Sequence, residues 1–271
     1  MKVWRLQGRQ GQPREEMVAE EVPVGLIFNG QPQVVLMATP RDLDDLAVGH
    51  ALSEGLIDDP EQLQSIETLQ RPEGLLHHCA VRGLNAVEGA RSEALAGSGC
   101  GLCGVQALQA IRRPPPLPQP FYWTARRIRA GMRALAAAQP LNQASGGLHA
   151  AAALLPGEPL RLLVREDVGR HNAVDKVIGA LARAPLCAEA MLVTSRASFE
   201  LVQKTAAARI PLLAAVSAPT SAAVALAQDC QLSLLAFVRG QRMTRYAGPP
   251  ADDELASAAA THDRCDSTEP S

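Results

Sequence analysis

Short apolar runs recur along the second half of the chain at Leu160–Val164, Met191–Thr194, Pro211–Val216 and Leu232–Val238. Each is bounded by turn-forming residues and is short enough for a buried strand. Between them, Ala173–Leu181, Phe199–Ala208 and Ser221–Gln228 carry apolar residues at helical spacing; Val174, Val177, Ile178 and Leu181 share one face. Asn172 with Asp175 has the spacing of a capping box at the start of the first helix. Strand and helix alternating through short links predict an α/β fold with a mostly parallel sheet in the C-terminal part. The first half reads differently. Val24–Phe28 and Val34–Met37 flank Asn29-Gly30, which predicts a hairpin. Thr39 and Pro40 have the chemistry of an N-cap and first helical residue, followed by Leu43, Leu46, Ala47, His50 and Ala51 at helical spacing and Gly55 at the far end. Ile66–Leu69 and Leu75–Val81 read as a strand pair, and the first twenty residues as polar and loosely ordered. No repeat of fixed period is present.

Boundaries follow from composition. Residues 1–113 form a smaller N-terminal α+β subdomain ending in a glycine-rich loop; 114–123 are a proline-rich connector; 124–249 are an α/β core; 250–271 are an acidic, disordered tail. Thr124 is placed to cap a helix that stops near Gln139-Pro140, and its Arg126, Arg127, Arg129 and Arg133 read as a solvated basic face.

Aromatic residues are only 3% of the chain, which excludes a base-stacking platform for single-stranded nucleic acid. The net charge is −2, but the stretch from Ala251 to Ser271 holds six acids and one arginine, so the residues before it carry +3. Met1 to Met17 lacks the apolar stretch of a secretion signal. The charge-free run from Ile210 to Gln228 is interrupted by Pro211, Ser217, Pro219, Thr220 and Ser221, and so reads as strand, turn and helix rather than a membrane span. Neither a nucleic-acid nor a membrane partner is expected. A cytoplasmic location follows, where the six cysteines (79, 100, 103, 187, 230 and 265) stay reduced and serve as free, catalytic or metal-binding thiols.

Two features carry chemistry. Cys100-Gly-Leu-Cys103 lies in a glycine-rich run and is open to three readings. Zinc would need two more ligands, for which only His77, His78, Cys79 and more distant residues are on hand. A redox pair would sit at a helix start, which the flanking glycines disfavour. A carrier thiol must reach two partners in turn, and flexible flanks with a second thiol for exchange suit that task. The other feature is a series of anion-ready loops. Ser145–His149 is glycine-bearing, and Glu166–Asn172, Thr194–Ser198 and Ser217–Thr220 each join a strand's carboxyl end to a helix start, where open parallel sheets bind anions. Phe237–Arg242 ends the last strand with two arginines around Gly240. From these loops Arg170 and Arg196 are candidate ligand contacts; His149 and His171 are placed for ligand contact or proton transfer, whereas His50 belongs to a packed helical face.

Several segments together resemble one family: Val22-Pro23-Val24, Asn29-Gly30, Thr39-Pro40, Gly49, Ser53-Glu54-Gly55, Cys100–Gly104, Gly146–Ala150, Arg165–Gly179, Ser195-Arg196, Glu200, Lys204, Ala218-Pro219-Thr220 and Phe237–Arg242. In this order, from Val22 to Tyr246, the chain resembles the FdhD/NarQ family, sulfur carrier proteins required for formate dehydrogenase activity. The resemblance implies a sulfurtransferase that accepts persulfide sulfur from a cysteine desulfurase and delivers it to the molybdenum bis(molybdopterin guanine dinucleotide) cofactor before insertion into the formate dehydrogenase apo-enzyme. That cofactor is a bound substrate, and no metal of the protein's own is implied. Cys100 corresponds to the persulfide-forming cysteine and Cys103 to its companion; Phe237, Val238, Arg239, Gly240, Gln241 and Arg242 correspond to the cofactor-contacting segment. The resemblance also implies a cytidine-deaminase-like fold and a homodimer. Two positions depart from the family pattern. Ser145 replaces a threonine, which keeps the hydroxyl, and Arg209 stands where a glycine precedes the Ile-Pro strand, which predicts a different end to the helix before it. Two other functions are open to the same residues: a non-catalytic chaperone of the cofactor, and a zinc-dependent nucleobase deaminase. The deaminase needs His-x-Glu and Pro-Cys-x-x-Cys; the chain has no His-x-Glu, and Gly99 precedes Cys100.

Overall fold

The structure, a computed structural model, describes residues 1–7, 10–85, 114–117 and 122–253. Cys100, Cys103 and the tail from residue 254 lie outside the described residues. In chain order the elements are β1 (Lys2–Gln7), β2 (Gln10–Glu15), β3 (Val22–Phe28), β4 (Gln31–Ala38), α1 (Leu43–Ser53), a 3-10 turn (Pro60–Gln62), β5 (Leu63–Arg71) and β6 (Gly74–Val81). They continue with α2 (Ala125–Ala137), α3 (Pro140–Ser145), β7 (His149–Leu155), β8 (Arg161–Asp167), α4 (Arg170–Arg183) and β9 (Ala190–Val193). Last come α5 (Phe199–Ala207), β10 (Leu212–Ala215), α6 (Ser221–Asp229), β11 (Ser233–Arg239) and β12 (Arg242–Ala247). Strands β12-β11-β10-β9-β7-β8 form one sheet, and β4-β3-β6-β5 another. The fold is thus mixed α/β. No helix among the described residues is long and apolar enough to cross a membrane.

Two compact units result, each drawn from several stretches. Among the described residues, the first lies within 1–111, 138–151 and 164–185, and the second within 112–137, 152–163 and 186–271.

In the first unit, β3 and β4 pair antiparallel around Asn29 (φ 50°) and Gly30 (φ 78°), the left-handed pair that a two-residue hairpin needs. β3 pairs parallel with β6, and β6 antiparallel with β5. Val24, Leu26 and Phe28 join Leu46, Ala47 and Ala51 of α1 in the core. Helix α1 begins at Leu43 behind Asp42, which is left-handed and makes no side-chain cap; the expected cap, Thr39, is occupied elsewhere, as described below. Helices α1 and α4 meet at Gly49 and Gly179. A Cβ on Gly49 would lie 1.7 Å from the Asp175 carbonyl oxygen, and one on Gly179 would lie 1.9 Å from that of Asp45, so only glycine allows this approach. The first residues are not loose: β1 and β2 form an antiparallel ribbon from Lys2↔Glu15 to Gln7↔Gln10. Their polar composition hides it, because the ribbon pairs only with itself and leaves Trp4 and Leu6 exposed.

In the second unit, β9, β10 and β11 are parallel, as their apolar runs predict, and β12 adds an antiparallel edge. All four residues of β9 and of β10 are buried. Helix α2 buries Ile128, Gly131, Met132 and Leu135 as one stripe. Thr124 caps it through its hydroxyl, which accepts from the Arg127 amide at 3.2 Å. Asp253 reinforces the cap, its carboxylate accepting from the Ala125 amide at 2.9 Å and the Arg126 amide at 3.2 Å.

Candidate functional site

Of the three cysteines among the described residues, Cys79 and Cys230 are buried and Cys187 is exposed. Burial, with a smaller contribution from the Asp44 charge, pushes the Cys79 thiol up to about 12. Neither buried thiol can serve as a thiolate that changes partners.

The strand ends of the second unit are laced together. Beyond β9 and β10 the chain continues in lateral contact: the amides of Ala197 and Thr220 donate to Ala218 and Ala197 carbonyls, and those of Ser217 and Phe237 donate to Ser195 and Ser217 carbonyls. The three loops after β9, β10 and β11 therefore form one shelf at the carboxyl edge of parallel strands, where helix N-termini and free amides favour anions. Arg196 stands exposed on the first loop. Thr220 is a plain N-cap on α6, accepting from the Ala223 amide. Ser198 does not cap α5; its hydroxyl donates to Glu200.

The third loop is strained. Phe237 has φ 53°, a left-handed conformation that an aromatic residue rarely adopts, and the β11–β12 register shifts between Ala236 and Arg239. Such a bulge re-aims the side chains that follow it, and backbone strain held by surrounding contacts clusters at functional sites. Here the Arg242 guanidinium lies over the Phe237 ring, 5.4 Å from its centroid. Arg239 Nε donates to the Val216 carbonyl at 2.9 Å, which fixes one edge of that guanidinium. Val238 is buried, whereas Gly240 and Gln241 are exposed at the tip.

The first unit holds the other candidates. Asp167, at the end of β8, is fully buried and accepts four donors: Lys176 Nζ at 2.5 Å, the Gly169 amide at 2.8 Å, Asn172 Nδ2 at 2.9 Å and the Thr39 amide at 3.1 Å. Lys176 also donates to the Thr39 carbonyl, and the Thr39 hydroxyl accepts from the Val168 amide. This is why Thr39 does not cap α1. Asn172 bonds Asp167 and the Met37 carbonyl, and Asp175 accepts from the Ser53 hydroxyl, so the expected capping box is absent; Gly169 occupies the N-cap. His50 is not purely packed either, with Nδ1 3.8 Å from Asp175. The Ser145–His149 loop does not present its amides to an anion as its glycines suggest. Gly146 is the left-handed C-cap of α3, its amide donating to Asn142, while the Leu148 amide donates to the Asn142 side chain. The loop instead delivers His149, which is half-buried near Arg170 and His171. Burial foremost, then the charges of Arg170 and His171, hold its imidazole below the usual value against the pull of Asp167. The buried Nε of Arg170 has no hydrogen-bond partner among the described residues. His149 and Arg170 are thus brought together, as are Phe237 with Arg242. Glu166 lies within β8 rather than in the loop its position suggests; it is buried and accepts the Leu141 and Asn142 amides at the start of α3.

Among the described residues, no group of three His, Cys, Asp or Glu side chains is arranged to hold a metal ion.

The sequence profile of the FdhD/NarQ family matches residues 19–251. The sulfur carrier protein FdhD of Variovorax paradoxus is 49% identical over 239 residues, covering 86% of each chain. That of Xanthomonas axonopodis pv. citri is 42% identical over 252 residues, covering 91% of this chain and 89% of its own. A crystal structure from Desulfotalea psychrophila, of a protein assigned as a formate dehydrogenase accessory protein, superposes with a TM-score of 0.70 at 24% identity, covering 92% of this chain and 96% of that one. Matching across both the Cys100-Gly-Leu-Cys103 run and the Phe237–Arg242 turn, the chain belongs to the FdhD/NarQ family.

Proposed function

We propose that this chain is a sulfur carrier serving a formate dehydrogenase, with Cys100 as the thiol that carries the sulfur. The Cys100 thiolate attacks the outer sulfur of a persulfide on a cysteine desulfurase, forming the Cys100 persulfide and releasing the desulfurase thiolate. Cys103 then attacks the inner sulfur. As the Cys100–Cys103 disulfide forms, the bond between Cys100 and the outer sulfur breaks, and the outer atom leaves with its electron pair as sulfide for the molybdenum of the bound bis(molybdopterin guanine dinucleotide) substrate. A cellular dithiol reductant restores both thiols. The shelf of loops in the second unit, read as the edge of a cytidine-deaminase-like sheet, holds the guanine dinucleotide through the Phe237–Arg242 turn with Arg196. His149 and Arg170 offer a further anion contact, and the working form is a cytoplasmic homodimer.

The observation that carries this reading is the family match, in which relatives up to 49% identical are named sulfur carriers. The burial of Cys79 and Cys230 supports it, since both are removed from thiol exchange. Mass spectrometry after incubation with a desulfurase and cysteine tests it directly: the Cys100 peptide should gain one sulfur atom, and Cys100→Ala should abolish maturation of formate dehydrogenase. Full maturation by Cys100→Ala would instead identify a chaperone that only binds the cofactor.

A further inference from the structure

The arginines of α2 divide into two kinds. Arg127 is neutralised, with Nε 2.6 Å from Glu189 and Nη1 2.7 Å from Glu158, while Nη2 donates to the Leu155 and Gly157 carbonyls. Arg129 and Arg133, one helical turn apart, line a cavity of about 230 Å³ with Met132, Ala136, Val216, Val238, Arg239 and Gly240. Three guanidiniums thus face one cavity, two from a helix and one from the strained turn. Among the described residues none of the three forms an ion pair. Asp253 feels the charge of Arg129, but its carboxylate caps the helix amides. Arg239 is tied through Nε to Val216, which leaves its two terminal nitrogens for another acceptor. Like charges one turn apart on a helix repel, so the arrangement is not one that folding alone selects. The solvated basic face read from the sequence is, at these two positions, a cavity wall.

We infer that Arg129, Arg133 and Arg239 form a subsite for the diphosphate of a nucleotide. A diphosphate offers several oxygens to planar two-pronged donors, which suits three guanidiniums better than a single carboxylate does. The cavity is smaller than the roughly 300–1,000 Å³ that encloses a whole ligand, so it holds one charged end while the rest of the molecule lies outside. The apolar wall of Met132, Val216 and Val238 lowers the local dielectric and strengthens the contacts. This subsite rests on the reading that the Phe237–Arg242 turn meets a guanine dinucleotide, and it extends that contact onto α2.

Calorimetric titration of the full chain with GDP, inorganic pyrophosphate and guanosine tests it. Replacing Arg129 and Arg133 together by glutamine should weaken GDP and pyrophosphate by roughly tenfold or more, as expected for lost charge-assisted hydrogen bonds, and leave guanosine unchanged. The double lysine variant should recover part of the loss, because charge returns without the fork. Arg126→Gln, on the same helix but outside this cavity, should bind as the parent does. If the double glutamine variant binds pyrophosphate as tightly as the parent while Arg239→Gln loses it, the α2 subsite is wrong and the turn reading survives. If the parent binds neither GDP nor pyrophosphate, the subsite falls, and the reading of the turn with it; the mass gain on Cys100 is unaffected by either result.

Discussion

The loop after β8 and the turn after β11 both carry arginine at the end of a strand, yet they handle charge in opposite ways. After β8, Asp167 and Lys176 are fully buried, and every donor around the carboxylate is accounted for. After β11, Arg239 and Arg242 are exposed, unneutralised among the described residues, and mounted on a strained Phe237. A buried charge without a partner is too costly to keep, so the first region is saturated from within and holds backbone in place. An exposed charge needs no partner for folding, so the second region is left open to one from outside. Charge that builds the fold is paired and hidden; charge on the turn is left unpaired at a fixed position.

The contrast is most strongly tested at Lys176. Lys176→Met keeps much of the bulk but leaves Asp167 buried with one donor fewer, and should cost about 3–5 kcal/mol in urea unfolding of the full chain. Adding Asp167→Asn to that variant should recover a large part of the loss, because the uncompensated charge is gone. The same measurement on Arg242→Gln should show little change, since its guanidinium is exposed. Equal losses at Lys176 and Arg242 would erase the distinction between the two regions.

A smaller effect concerns the end of α5. Arg209, where the family resemblance places a glycine, adopts the left-handed conformation that glycine favours, with φ 55°, its amide donating to the Ala206 carbonyl and that of Ile210 to Thr205. The helix end is thus set by the buried Ile210 that follows, and the arginine is held in a glycine's conformation. A left-handed non-glycine residue costs about 1–2 kcal/mol, and glycine gives back about 0.5–1 through the unfolded chain. Arg209→Gly should therefore raise stability by about 0.5–1 kcal/mol, read as an increase in the urea midpoint. A decrease would mean the side chain supplies more than its backbone loses.

The same two regions show what pattern reading can reach. Strands β9, β10 and β11 are legible because each is a short apolar run buried on both faces, and the Asn29-Gly30 hairpin because its turn needs those two residues. The turn after β11 stands out through its arginines alone. Other features depend on partners far along the chain. Thr39 is a good N-cap by local chemistry, but Val168, 129 positions later, takes its hydroxyl. Lys176 owes its burial to Asp167, nine positions earlier, which no local pattern announces. Arg129 and Arg133 have the spacing of a solvated stripe, and only the turn from β11 makes them a wall. Strand β12 escapes notice because an edge strand with Arg242, Thr244 and Arg245 has no buried alternation to announce it.

His149 gives the finest test, because its neighbour Arg170 has a buried Nε with no hydrogen-bond partner among the described residues. In the unfolded chain the imidazole titrates near 6.5, and in the folded chain lower. Between the two values the unfolded state binds more protons, so stability rises with pH through that window. The penalty is absent above 6.5, grows as pH falls below it, and levels off below the folded value. The effect on stability is modest because the ring is only half-buried, but the midpoint is directly visible in the His149 proton resonances. It should lie below 6.5 in the parent. Arg170→Gln removes the largest of the opposing charges and should move it upward, while inorganic phosphate should do the same in the parent by screening that charge if Arg170 is open to an anion. A midpoint at or above 6.5, unmoved by either change, would place Arg170 with the sealed groups around Asp167 and leave the turn after β11 as the protein's open charge.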